Sequence, residues 1–253
     1  MAEITHVIFD FDGVLIDSEQ VYSDVNTKMM AKYGREFTLE MKLGMMGTKK
    51  QEAVRYLLKM TDLEQTVTPE EYTELYDVEL DRALRECAEL PGANKLIEYF
   101  HKHQYPLAIC TGSDNIEFEI KTQTLYSHWL KKIPIVVRCG SDPEVTQGKP
   151  SPIPYLVTMK RFENPPASAA NCLVFEDSIN GARAAVDAGM RCVMIPQPQF
   201  LDEAGKQKIE ELRPKLSDLL TSLEEFDPTK LFEILLLFLL NELSDGHVFV
   251  SLW

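Results

Sequence analysis

The segment Ile4-Thr5-His6-Val7-Ile8-Phe9-Asp10-Phe11-Asp12-Gly13-Val14 begins as a short β-rich run and breaks on two aspartates and a glycine. Similar runs recur at Leu107–Thr111, Ile133–Arg138, Cys172–Phe175 and Cys192–Ile195, and each reads as a buried strand. Between the later runs the apolar spacing turns helical. Ala93, Leu96, Ile97 and Phe100 follow Pro91-Gly92, and Ala182, Ala185, Val186 and Ala188 follow Asp177. Strands alternating with helices predict an α/β fold with a doubly wound parallel sheet covered on both faces. Ligands of such sheets bind beyond the carboxyl ends of the strands, which singles out Asp10, Thr111 and the Glu176-Asp177 pair.

Working outward, the stretch from about residue 17 to 90 is too long for one crossover helix and carries helical patterning throughout. Helices are expected over Tyr22–Tyr33, Thr48–Met60 and Glu70–Ala88, the last announced by Thr68-Pro69-Glu70-Glu71 as a capping box with proline in the first turn. The predicted organisation is an α/β core of residues 1–16 and 90–225, an inserted helical domain over 17–89, and an apolar tail over 233–253. Residues 234–240 of that tail are purely apolar between Glu233 and Glu242, short of the roughly 20 residues a spanning helix needs. A docked or self-associating helix is the expectation there, with a tail anchor as the alternative.

Composition narrows the function. The 253 residues are 45% hydrophobic and 26% charged, so a globular chain with ample core is expected and disorder is not. Against 26 Lys and Arg stand 40 Asp and Glu, a net charge of −14 that repels nucleic acid polymers but leaves room for a small phosphorylated substrate held through a cation. Five cysteines without C-x-x-C spacing argue for reduced thiols rather than a disulfide framework or a zinc site. The N-terminal residues lack a basic start followed by a long apolar stretch, so a cytoplasmic protein is expected.

Four motifs carry the chemistry. In Asp10-Phe11-Asp12-Gly13-Val14, a turn opened by Gly13 brings two carboxylates toward one ligand, although an isolated D-x-D is as readily a turn that caps its own amides. Cys110-Thr111-Gly112-Ser113 offers a hydroxyl and unhindered N–H groups to a phosphate oxygen, or forms an ordinary strand-to-helix turn. Gly148-Lys149-Pro150-Ser151-Pro152 places one lysine between glycine and proline, with Ser151 as helix cap and Pro152 in the first turn. Glu176-Asp177-Ser178 ends an apolar strand with oxygen ligands suited to a hard divalent cation, unless Asp177 or Ser178 merely caps the next helix.

Taken in order, Asp10-Phe11-Asp12-Gly13-Val14, Thr111, Lys149 and Glu176-Asp177 resemble the four motifs of the haloacid dehalogenase superfamily of phosphotransferases. The resemblance covers about residues 4–225 and implies a Rossmann-like core, with the helical insertion as a cap and Leu90-Pro91-Gly92 leading back to the core. It further implies Asp10 as nucleophile, Asp12 as general acid and base, and Thr111, Gly112 and Lys149 as phosphate ligands. Mg2+ would be held by Asp10, the Asp12 carbonyl, Asp177 and Glu176.

Within the family, the opening motif, Met46-Gly47-Thr48-Lys49, Asp142-Pro143-Glu144-Val145 and Cys172–Asp177 resemble the pseudouridine 5′-phosphatases. The implied substrate is pseudouridine 5′-phosphate, with the cap lysines Lys49 or Lys50 reaching it on closure. Alternatives are a β-phosphoglucomutase, a glycerol or sugar phosphate phosphatase, and a non-catalytic binding relative. The mutases carry histidine where Tyr22 stands, which counts against them. Ser151-Pro152-Ile153-Pro154 departs from the family pattern and predicts a later helix start after Lys149. The chain is expected to be a monomer, away from membranes unless its tail drives association.

Overall fold

A computed structural model of the chain describes residues 3–45, 50–123 and 126–228. β1 (His6–Phe9) lies inside a six-stranded sheet with β2 (Leu107–Thr111), β3 (Ile135–Arg138), β4 (Cys172–Glu176), β5 (Arg191–Met194) and β6 (Asp218–Leu219). The order is β3-β2-β1-β4-β5-β6 and every pairing is parallel. β1 sits between β2 and β4, with Val7 opposite both Leu107 and Leu173. The chain therefore reverses its winding direction at β1, the switch point where such sheets place their ligands.

Both faces of the sheet are covered, and the two-residue alternation of each strand feeds two cores. Val7, Phe9, Ile109 and Phe175 point into one; Ile8, Cys110, Val174 and Met194 point into the other. The five expected strands are all present, with bounds that differ from expectation by at most two residues at either end. Ile4 and Thr5 lie outside the β1 ladder, and Cys192–Ile195 appears as Arg191–Met194. The two-residue β6 was not anticipated, being too short to carry any alternation.

The long excursion between β1 and β2 holds α1 (Ser18–Lys32), α2 (Leu39–Met45), α3 (Lys50–Met60) and α4 (Pro69–Arg85). They share a third core containing Met29, Met30, Leu57, Leu58, Tyr72 and Leu84. On the surface, Glu79 of α4 ties to Lys28 at 2.5 Å and Lys32 at 3.2 Å of α1. The capping box forms as read: the Thr68 hydroxyl accepts from the Glu71 amide, and the Thr68 amide donates to the Glu71 carboxylate. α1 starts four residues before Tyr22 and α4 ends at Arg85 rather than Ala88, while α2 had no counterpart in the sequence reading.

After the excursion come α5 (Ala93–Lys102), α6 (Asn115–Thr122), α7 (Ser127–Leu130), α8 (Ile153–Lys160), α9 (Ile179–Asp187) and α10 (Glu203–Leu212). α5 to α7 give Ile97, Phe100, Phe118 and Trp129 to the first core; α8 to α10 give Tyr155, Ala185 and Ile209 to the second. The cap of α8 differs from expectation. Pro152 is the N-cap and the helix begins at Ile153, with Ser151 Oγ receiving only a 3.4 Å contact from the Ile153 amide. Met46 to Lys49 and the tail over 233–253 lie outside the described residues. No helix among the described residues is long and apolar enough to cross a membrane.

Candidate active site

The carboxyl ends of β1, β2 and β4 and the loop before α8 converge on one cavity of about 700 Å³, bordered by Asp10, Asp12, Gly112, Lys149 and Asp177. Lys149 ties it together: its Nζ donates to Asp10 Oδ1 at 2.6 Å, to Glu176 Oε1 at 2.6 Å and to the Cys110 carbonyl at 3.0 Å. Asp10, Glu176 and Asp177 each offer an oxygen within 4.8 Å of the others. Two glycines permit this closeness. Gly13, at φ +77°, leaves no room for a Cβ, which would lie 2.0 Å from Asp177 Oδ2; a Cβ on Gly181 would lie 1.7 Å from Glu176 Oε1. Ser178, not Asp177, caps α9 by accepting from the Gly181 amide at 3.0 Å, so Asp177 is left facing the cavity.

Asp12 occupies a separate cradle. Its Oδ1 accepts from Ser18 Oγ at 2.6 Å and Lys121 Nζ at 2.7 Å; its Oδ2 accepts from Thr111 Oγ1 at 3.0 Å and Ser113 Oγ at 2.8 Å. Lys121 is only 1% exposed and also donates to Ser113 Oγ at 2.8 Å. No motif flagged Lys121, Ser18 or Tyr155; the spacing of Phe118 and Lys121 on one face of α6 was the available signal. Thr111 also has a different place from the one expected. It is fully buried with its hydroxyl on Asp12, because it is still a strand residue beside β1, and Gly112 is the residue that reaches the cavity.

Electrostatics separate the two aspartates. Burial drives the Asp10 carboxyl well above its usual value, with Lys149 opposing and the charges of Glu176 and Asp12 reinforcing. Burial also pushes Asp12 upward, yet the Lys121 charge and the bonds from Lys121, Ser18 and Ser113 outweigh it, and the carboxyl falls below its usual value. Asp177 is raised by burial and then by Glu176 and Asp10. For Lys149, desolvation is overcome by Asp10 and Glu176, which keep the ammonium charged.

A divalent cation fits this donor set. Three carboxylates face a single lysine, and the raised values of Asp10 and Asp177 mark negative charge that a hard cation would relieve. Glu176 is committed elsewhere: besides Lys149, its Oε1 accepts from Tyr155 OH at 2.7 Å and its Oε2 from the amide and hydroxyl of Ser178 at 3.1 and 3.0 Å. With four donors on a fully buried carboxylate, it holds Lys149 in place, and direct ligation would displace a donor. Among the cap lysines, Lys49 lies outside the described residues, and Lys50 is exposed and paired with Asp77 at 2.9 Å.

Comparison with known proteins agrees with the architecture. The haloacid dehalogenase-like hydrolase family matches residues 7–195. The (DL)-glycerol-3-phosphatase 2 of Arabidopsis thaliana is 35% identical over 225 residues, covering 89% of this chain and 90% of the relative. A probable pseudouridine-5′-phosphatase of Drosophila melanogaster is 33% identical over 232 residues, covering 90% and 94%. A HAD family hydrolase from Deinococcus radiodurans R1, solved with bound phosphate and sodium, shares the fold with a TM-score of 0.71 at 23% identity, covering 92% of this chain and 97% of that one. Joined by a family match over residues 7–195 and by relatives above 30% identity along about nine tenths of its length, the chain belongs to the haloacid dehalogenase-like hydrolases.

Proposed function

We propose that this hydrolase is a magnesium-dependent phosphomonoesterase that works through an aspartyl phosphate on Asp10. The observation that carries the reading is Lys149 Nζ, 2.6 Å from both Asp10 and Glu176, which leaves the second Asp10 oxygen clear of that lysine. An Asp10 oxygen attacks phosphorus, the phosphorus–oxygen ester bond breaks, and the departing alkoxide takes its proton from the Asp12 carboxyl. In the second half, water gives a proton to the Asp12 carboxylate as its oxygen attacks phosphorus, and the bond to Asp10 breaks. The lowered value keeps Asp12 ionised as the second half begins, and with two donors already on each oxygen it takes the proton by releasing one of them.

Lys149 and the amides around Gly112 face the phosphoryl oxygens, while Thr111 acts through Asp12. Asp10, the Asp12 carbonyl and Asp177 would hold Mg2+, which when bound supplies positive charge against the phosphoryl oxygens and keeps Asp10 ionised. Helices α1 to α4 act as the cap over this site. Five unpaired cysteines fit a reducing, cytoplasmic setting.

The first substrate is pseudouridine 5′-phosphate, supported by the sequence resemblance and by the name of the Drosophila relative. Glycerol 3-phosphate is the second reading, favoured by the Arabidopsis relative. The test is magnesium-dependent phosphate release across pseudouridine 5′-phosphate, uridine 5′-phosphate, glycerol phosphates and sugar phosphates, compared by kcat/KM with an EDTA control. Highest kcat/KM on pseudouridine 5′-phosphate supports the first reading, highest on glycerol 3-phosphate the second, and no release from any of them rejects the phosphomonoesterase.

A further inference from the structure

We propose that Arg183 and Lys208 form a positive rim on the core side of the catalytic cavity, which gathers phosphate dianions and passes them inward to Lys149 and Asp10. This inference rests on the phosphomonoesterase reading and adds to it two residues outside the four motifs. Arg183 belongs to α9 and Lys208 to α10, and both border the cavity that holds Asp10, Lys149 and Asp177. Their place follows from packing. Ala182, Ala184 and Ala185 of α9 and Ile209 and Leu212 of α10 are buried in the second core, which leaves Arg183 and Lys208 exposed. Arg183 stands four residues after Ile179 and three after Asn180, so the three share a helical face, and all of them border the cavity.

Charge is what the site lacks. The chain carries a net charge of −14, and Asp10, Asp12, Glu19, Glu117 and Asp177 all border the cavity, so an approaching phosphomonoester dianion meets a repulsive field. Four cations share that border, and two of them are already neutralised: Lys121 by Asp12 at 2.7 Å, and Lys149 by Asp10 and Glu176 at 2.6 Å. Arg183 and Lys208 differ. Neither forms an ion pair or hydrogen bond among the described residues, although Asp187 stands one turn beyond Arg183 and Glu211 three residues beyond Lys208. The cations on either side of Lys208 in the chain are paired, Lys206 with Glu203 at 2.7 Å and Arg213 with Glu210 at 3.3 Å. The positive charge left unneutralised on this border therefore comes from α9 and α10.

Exposed charges at a rim act through the field, so they change how a ligand is captured rather than how it reacts, and their effect fades with salt. A field reads the phosphate and ignores the leaving group. Inorganic phosphate should feel the rim as a phosphomonoester does, which separates this role from any choice of substrate.

The test uses the full chain with Mg2+, the substrate of the above set with the highest kcat/KM, and inorganic phosphate as a competitive inhibitor. In the double substitution Arg183→Gln with Lys208→Gln, KM and the phosphate inhibition constant should each rise about 10-fold at about 10 mM salt, with kcat within about twofold of wild type. At about 0.5 M NaCl, where screening cuts the field off within about 4 Å, the difference should fall below about threefold. Arg183→Lys with Lys208→Arg keeps both charges and should match the wild type at both salt concentrations. The rim is overturned, and the phosphomonoesterase left intact, by an unchanged KM and inhibition constant at low salt, by a loss that persists undiminished at high salt, by an equal loss in the charge-conserving variant, or by a fall in kcat alone. Absence of phosphate release from every substrate by the wild type rejects the enzyme reading and the rim with it.

Discussion

Asp10 and Asp12 stand two residues apart in opposite electrostatic settings, one raised by burial and one lowered by a buried lysine. Asp10→Asn should abolish phosphate release yet preserve or raise the melting temperature. It removes one of three crowded carboxylates, and Lys149 keeps Glu176 at 2.6 Å. Substantial turnover in that variant would exclude Asp10 as nucleophile. Lys121 invites a paired experiment. Lys121→Met strands the Asp12 charge, and breaking a buried pair from one side costs about 3–5 kcal/mol. The double substitution Asp12→Asn with Lys121→Met should recover most of that stability, while turnover stays on the order of 100-fold down or worse. Recovery of turnover together with stability would show that Lys121 and Asp12 serve only the fold.

Elements carry a separate set of consequences. Thr68 caps α4 on the exposed side of the helical excursion, so Thr68→Ala should lower unfolding stability by about 1 kcal/mol in urea and leave kcat/KM unchanged. An unchanged unfolding midpoint would mean that Pro69 and the burial of Tyr72, Tyr76 and Leu80 hold α4 without the cap. The same helix illustrates what sequence can reveal. Its start was legible because capping is local chemistry, and the five principal strands were legible because both faces of a parallel sheet demand apolar runs. Asp10, Lys149 and the Glu176-Asp177 pair could be read as a group because they lie at or beyond the carboxyl ends of three different strands, β1, β3 and β4. The cradle around Asp12 could not, since Ser18, Ser113 and Lys121 meet only when α1, β2 and α6 are folded together. β6 and α2 escaped for a simpler reason: two and seven residues carry too little periodicity to register.

At the scale of the whole molecule, the helical excursion meets the sheet across the catalytic cavity, where Lys42 of α2 lies 3.3 Å from the ring centre of Phe200, beyond β5. Phe200 borders the same cavity as Asp10 and Asp177, which with Glu176 concentrate negative charge there, and the stability of that cluster depends on pH in a definite sense. Without a divalent cation, the Asp10 and Asp177 carboxyls ionise in the folded protein only above their usual 3.8. The unfolded chain therefore ionises first. Their contribution to stability is complete below about pH 3.8 and is lost as pH rises through the raised values. Magnesium requires the ionised forms and should return what was lost, so the melting temperature gained on adding it should be larger near pH 8 than near pH 5.5. At a hundredfold excess over Kd the gain is about 2.7 kcal/mol, roughly 5–10 °C for a chain of this size. Taking the gain at each pH cancels every group that titrates without touching the cation. Asp177→Asn should lose most of the gain, because it removes a ligand facing the cavity while Ser178 still caps α9. An equal gain at both pH values, or an undiminished gain in Asp177→Asn, would place the cation away from these carboxylates.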